Sequence, residues 1–425
     1  ELAYHLLEFE RLDAAGPVPW RQSLTLDELE PGRDYARTVE QDGEQAQVLL
    51  RMPNEDSAHF VVYADVETEP ESTGERVAWP APDDPDRRYL VDQTTGYAAN
   101  LAAIAAKQPD FIAIAGDLVE SGGEQRDWDE FWRHNAPVAA SIPIVPSLGN
   151  HDYFGGPGDL GGYGQGGTGR ALEKYASYFD RGPYYVYEHG PVALVVIDGN
   201  NGLPERSATD TNWYLDGTAP AWQPGSAQYA WLEQTLADAQ RDRAFTFVMF
   251  HAAPYTSGIH GRPAGIGEGL NFSSGLPLRE LTPLFLQYGV DAVFSGHDEM
   301  YERSVVEGAE QLAGGERVPH AVHFLTVGIA GDGLRGPDPV ADNAQRVFLA
   351  HYDAPEQWSD DGVLLDGGKH YGHVDVRVQR DENGRWHARL EPVYVFPVMD
   401  AAGELQRFDT RRYADTVNLE SRRVD

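Results

Sequence analysis

The chain has 425 residues, of which 41% are hydrophobic, and a formal net charge of −35 from 68 acidic against 33 basic side chains. That size allows a large buried core, and the charge argues against a surface that tracks nucleic-acid backbones. There are no cysteines, which excludes disulfides, thiolate nucleophiles and Cys-based zinc sites, and no apolar run reaches the ~18 residues of a membrane span.

Residues 1–55 read as a small β cap. Ser23-Leu-Thr-Leu alternates, Pro31-Gly32 marks a turn, and 45–52 reads as a strand. From His59 a repeating pattern sets in. The apolar run 60–64 ends at Asp65, and 111–115 leads to Gly116-Asp117. The run 142–146 leads to Gly149-Asn150-His151-Asp152, 245–250 ends at His251, and 291–295 leads to Gly296-His297. Continuous apolar runs of this kind read as buried strands. Helices are expected over 97–107, 128–140, 227–240 and 278–288, so strands alternate with helices in an α/β layered fold. The glycine-rich stretch 155–169 holds a formal G-x-G-x-x-G at Gly162, Gly164 and Gly167. With no strand before it and no helix expected at its last glycine, it reads as a loop beside the site rather than a dinucleotide cradle. Farther on, 321–329 and 372–395 read as strands, the second folded at Asn383-Gly384, and 401–425 as a polar tail.

Each strand that leads into a motif delivers a metal-binding residue type at its carboxyl end, where open α/β sheets gather their ligands. Two divalent ions held there would clamp a phosphate and lower the pKa of a water. His59, His134, His189, His320, His323, His370 and His373 read as structural or exposed, and Trp128, Trp132 and Trp231 as core contacts.

The series Asp65-Val66-Glu67, Gly116-Asp117, Gly149-Asn150-His151-Asp152, His251 and Gly296-His297-Asp298-Glu299 resembles the signature of calcineurin-like metallophosphoesterases. That signature reads Asp-x-His, Gly-Asp, Gly-Asn-His-Asp/Glu, a lone His and Gly-His-x-His. Tyr301-Glu302-Arg303 and the spacing from His251 to His260 look like the purple acid phosphatase branch, and 29–35 resembles part of the fibronectin-III-like module that precedes it there. The resemblance implies an α/β fold, a four-layer α/β/β/α sandwich over 56–400, behind the small N-terminal β cap. It implies hydrolysis of phosphomonoesters or phosphodiesters by a hydroxide held at a dinuclear metal centre, with a small-molecule ester as partner. Asp117 would bridge the metals, and Asn150, His251 and His297 would complete a second site suited to zinc, iron or manganese. His151, with Asp152 beside it, would serve the leaving group, and His260 and Arg303 would contact phosphate.

The chain departs from the signature at the first metal. Glu67 and Glu299 stand where the family has histidines, and Glu120 where the purple acid phosphatase branch has a tyrosine. The first site would be Asp65, Glu67, Asp117 and Glu299, with Glu120 the less favoured ligand. Such an all-oxygen set suits calcium, manganese, magnesium or ferric iron. Two other readings stand: a non-catalytic metal-binding protein with a degenerate first site, and a hydrolase of another phosphorus ester. Scattered acids, nearly lysine-free basic charge and absent cysteine suit a salt-exposed, secreted or periplasmic protein, and the sequence starts at Glu1 without a charged-then-apolar leader.

Overall fold

The computed structural model describes residues 26–68, 93–155, 167–264, 272–350, 357–358, 364–366 and 370–422, apart from positions 27, 42, 216, 332, 333, 401 and 403. The alternation at 23–25 and most of the glycine-rich stretch, 156–166, lie outside these residues. The hairpin β1 (Asp34–Gln41) and β2 (Glu44–Arg51) stands as its own antiparallel pair. The remaining strands build chiefly two seven-stranded sheets.

In chain order, β3 (Ser57–Tyr63), β4 (Phe111–Ile114) and β5 (Ile144–Pro146) run parallel. They are followed by β6 (Tyr185–His189), β7 (Val192–Val196), β8 (Phe245–Ala252) and β9 (Ala292–Gly296). Then come β10 (Tyr301–Gln311), β11 (Arg317–Val327) and β12 (Arg346–Leu349). β13 (Gln357–Trp358) pairs β14 (Leu364–Asp366). The last strands are β15 (Gly372–Arg380), β16 (Trp386–Met399), β17 (Leu405–Arg412) and β18 (Val417–Glu420). One sheet has the order β12-β10-β11-β9-β8-β7-β6, the other β17-β16-β15-β3-β4-β5, with β18 on β16.

The helices are α1 (Gln93–Lys107), α2 (Gln125–Ala139), α3 (Gly167–Phe179), α4 (Ala227–Asp242) and α5 (Thr282–Gln287). α4 starts where the Ser226 side chain accepts the Tyr229 N–H, an N-cap that satisfies one orphan donor. Its Leu232, Leu236 and Ala239 are buried at helical spacing.

Side-chain alternation sets the layers. In β3, Phe60 and Val62 join one core cluster with Phe247, Met249 and Phe294 of the opposite sheet. Val61 and Tyr63 face α1 and α2 through Tyr97, Leu101, Trp128 and Phe131. In β8, Val248 and Phe250 face α4 and α5 through Leu232, Leu236 and Phe285. Helices, sheet, sheet and helices thus form the α/β/β/α sandwich. Phe60 is fully buried and stacks on Phe111 at 4.6 Å, a burial that contributes about 2 kcal/mol.

Three expectations are corrected. The stretch 401–425 is not a plain tail: β17 and β18 both pair with β16. Charged residues on an edge strand hide the pattern, while Tyr413 and Val417 anchor the segment in the core. A helix, α3, does begin at Gly167. The single helix expected over 278–288 is a 3-10 turn (Leu276–Leu281) followed by the short α5, because Pro277 and Pro283 each open a new helical segment.

Candidate metal centre

The motif residues meet where the two sheets' strand ends converge. The period of β8 carries from Phe247 and Met249 to His251, which therefore points between the sheets. Asp65, Glu67, Asp117 and His297 have φ of 58°, 40°, 52° and 73°, a left-handed conformation that non-glycine residues adopt at a cost. The signature glycines have a steric reason. A Cβ at Gly149 would stand 2.0 Å from Asp117 Oδ1, and one at Gly296 would stand 2.4 Å from Asp65 Oδ2.

Asn150 Oδ1 lies 3.0 Å and Asp117 Oδ2 2.9 Å from His251 Nε2. The His251 Nδ1 lies 2.9 Å from the Ala115 carbonyl and, as the donor to it, leaves the neutral ring's lone pair on Nε2. A lone pair aimed at two oxygens calls for a cation between them. Without a metal that cation is a proton: burial opposes it, but the Asp117 and Asp65 carboxylates prevail and lift His251 to about 10. His297 behaves oppositely. Burial first, then the charges of His260, His251, His151 and Arg335, hold it well below its usual range and hence neutral. Its buried Nε2 has no hydrogen-bond partner among the described residues, and its ring stacks on His260 at 3.6 Å. One donor atom each from Asp117, His251 and His297 lies within 4.8 Å of the others. Together with the Asn150 oxygen, this set fits a borderline transition ion.

On the other side of Asp117, donor oxygens of Asp65, Glu67 and Asp117 also lie within 4.8 Å of one another. All three residues are buried, and carboxylates so close and so dry need a cation to stay ionised. Both Asp65 oxygens accept the His297 backbone N–H, which ties the two sheets' loops together. Glu67, Glu120 and His151 form a further cluster. Glu299 lies in the cavity wall, but its Oε2 is 2.9 Å from Arg335 Nε, and it belongs to none of these clusters.

A cavity of about 200 Å3 opens over the centre. His151 lines it, with Nδ1 2.9 Å from the Glu120 carbonyl and the ring against Phe154. His260 lines it too. Asp152 does not reach it. Its fully buried carboxylate accepts the backbone N–H groups of Asp117, Leu118 and Gly149, so it braces the ligand loops and is no substrate contact. Arg303, expected at the phosphate, is not in the cavity wall; its guanidinium grips Asp415. Among the described residues the arginines in the wall are Arg262 and Arg335, which sequence reasoning missed because both lie in loops without a motif.

The chain is 28% identical over 236 residues to an uncharacterised protein of Mycobacterium tuberculosis, covering 52% of this chain and 40% of that protein. It is 24% identical over 274 residues to purple acid phosphatase 18 of Arabidopsis thaliana, covering 64% and 52%. A probable inactive purple acid phosphatase 9 of the same plant is 25% identical over 256 residues, covering 55% and 35%. The matches thus span about half or less of these relatives' length. The structure of purple acid phosphatase PPD1 from yellow lupin (Lupinus luteus) seeds superposes with a TM-score of 0.54 at 17% identity, over 91% of this chain and 60% of that one. That of PhoD gives 0.54 at 12% identity, over 92% and 76%. Both likenesses are of fold. The model of the Calcineurin-like phosphoesterase family (Metallophos) matches residues 85–300, just over half the chain and short of Asp65 and Glu67. With that match and its purple acid phosphatase relatives, the chain belongs to the calcineurin-like phosphoesterase family, on the purple acid phosphatase-like branch.

Proposed function

We propose that the chain hydrolyses phosphomonoesters, phosphodiesters or both at a dinuclear metal centre. The observation that carries this is Asp117, whose carboxylate belongs at once to the His251/His297 cluster and to the Asp65/Glu67 cluster. When bound, the two ions supply Lewis acidity toward the phosphoryl oxygens and activation of the attacking water. The chain's residues do the rest. The His251 Nδ1–H to Ala115 contact aims the Nε2 lone pair, and Asp152 braces the Asp117 and Asn150 loops. With Nδ1 turned to the Glu120 carbonyl, the His151 ring presents Nε2, 3.9 Å from Glu67 Oε1, and can hold a proton there for the leaving oxygen. The all-oxygen cluster suits a hard ion and the nitrogen-bearing one zinc, iron or manganese. The acidic, cysteine-free composition supports a secreted or periplasmic, salt-tolerant protein.

The test is Asp117→Asn, Asn150→Ala and His251→Ala, each assayed for aryl phosphate turnover, metal content and thermal unfolding. Each should lose at least ~100-fold in rate while remaining folded, since each removes a group that aligns the reacting charges. Near-normal rates in two of the three would sink the dinuclear reading. A wild-type chain that loads metal but turns over no mono- or diester would favour the non-catalytic binding protein.

A further inference from the structure

Two arginines stand in the wall of the metal cavity, and they are held differently. Arg262 grips Asp338 with both Nε and Nη2, and Asp338 also accepts the N–H groups of Val340 and Ala341. That arrangement clamps a loop. Arg335 is held against Glu299 twice: Nε lies 2.9 Å from Glu299 Oε2, and the Arg335 backbone N–H donates to the Glu299 carbonyl at 2.8 Å. The Glu299 side chain is 4% exposed and that of Arg335 33%. The carboxylate is inside and the guanidinium is toward the opening.

We propose that Arg335 is a phosphate-binding residue of this cavity, and that Glu299 is its positioning counter-ion and not a ligand of the first metal. The identity of the anion rests on the hydrolase reading above. The first-site carboxylates assemble without Glu299, since Asp65, Glu67 and Asp117 already form a cluster and Glu299 joins none. Charge points the same way. Two divalent ions against Asp65, Glu67 and Asp117 leave one positive charge for an incoming phosphate. A fourth carboxylate at the metals would cancel it, and Arg335 restores it by neutralising Glu299. A planar guanidinium also offers paired N–H donors to phosphoryl oxygens, which no carboxylate can. The glutamate at the position of a family histidine is then half of an ion pair that moves positive charge from the metal shell to a side chain.

The test measures inorganic phosphate binding by calorimetry and metal ions per chain by elemental analysis, on the metal-loaded wild type, Arg335→Gln, Arg335→Lys and Glu299→Gln, each checked for a folded melting transition. Losing a charge-assisted donor should weaken phosphate binding by ~10- to 100-fold in Arg335→Gln, with metal content unchanged. Arg335→Lys should recover part of the loss, and it replaces the glutamine variant in the comparison if that one fails to fold. Glu299→Gln should keep its full metal content. A loss of phosphate affinity below about fivefold in Arg335→Gln, where a charge-assisted bond predicts more, overturns the proposal. So does a metal ion missing from Glu299→Gln. Both readouts are independent of turnover, so an inactive wild type would sink the hydrolase reading and leave this one standing or falling on its own numbers.

Discussion

Replacing Asp152 by alanine removes, in one step, the acceptor of three backbone N–H groups, those of Asp117, Leu118 and Gly149 at 2.9, 3.1 and 2.8 Å. The residue is fully buried. Each donor left without a partner costs about 1–3 kcal/mol, so the variant should lose about 3–6 kcal/mol, water in the vacated space relieving part of the sum. Asparagine should lose only about 1–3 kcal/mol. Its oxygen can take the place of Oδ2, which accepts from both Asp117 and Gly149, leaving its amide against the Leu118 N–H. Urea unfolding of the chelated chain reads both values. The pH course adds a check. Burial, then the Asp117 charge, raise Asp152 to about 7, above the ~3.9 of an unfolded aspartate. An acid raised by folding stabilises most while protonated, so this contribution is greatest below about pH 4 and is lost as pH rises through about 7. Asparagine lacks it, and its deficit against wild type should shrink over that window. Turnover should survive better in Asp152→Asn than in Asp152→Ala, because the ligand loops stay braced. An alanine variant within ~1 kcal/mol of wild type would refute the bracing argument, which counts three lost partners. Equal inactivity of both variants would return the carboxyl to a chemical role.

His151→Ala should slow esters of basic alcohols more than activated aryl esters, because proton delivery matters most for a poor leaving group; an equal loss across a leaving-group series would restrict His151 to phosphate contact. In the chelated chain, burial opposes protonation of His251 but Asp117 and Asp65 carry it to about 10, above the ~6.5 of an unfolded histidine. Its contribution is therefore fully present below about pH 6.5 and disappears as pH rises through about 10. Urea midpoints of the wild type should fall across that range relative to His251→Ala, and parallel profiles for the two would contradict the pairing.

The loops of the candidate centre stand out in the sequence because β3, β4, β8 and β9 are buried on both faces and so appear as apolar runs that stop at Asp65, Gly116-Asp117, His251 and Gly296-His297. What escaped was decided by partners distant in the chain. Arg303 has the sequence context of a phosphate ligand, but Asp415, on the segment between β17 and β18, holds its guanidinium. Glu299 resembled a metal ligand, and only the fold brings Arg335 to it. Asp152 sits inside the Gly149-Asn150-His151-Asp152 motif, and its bracing role shows only in its burial and its three backbone donors. β17 reads as Leu-Gln-Arg-Phe-Asp-Thr-Arg-Arg, an edge strand whose charges mask its pairing.

The left-handed backbone at Asp65, Glu67, Asp117 and His297 has a consequence for how this protein can change. Each of these positions stores about 1–2 kcal/mol of steric cost that a glycine would not carry. Drift under selection for folding alone would be rewarded at these four places, and every reward would delete a metal-competent side chain. Screens for thermostable variants of the chain are thus biased toward losing the centre, and should be run with metal retention scored in parallel.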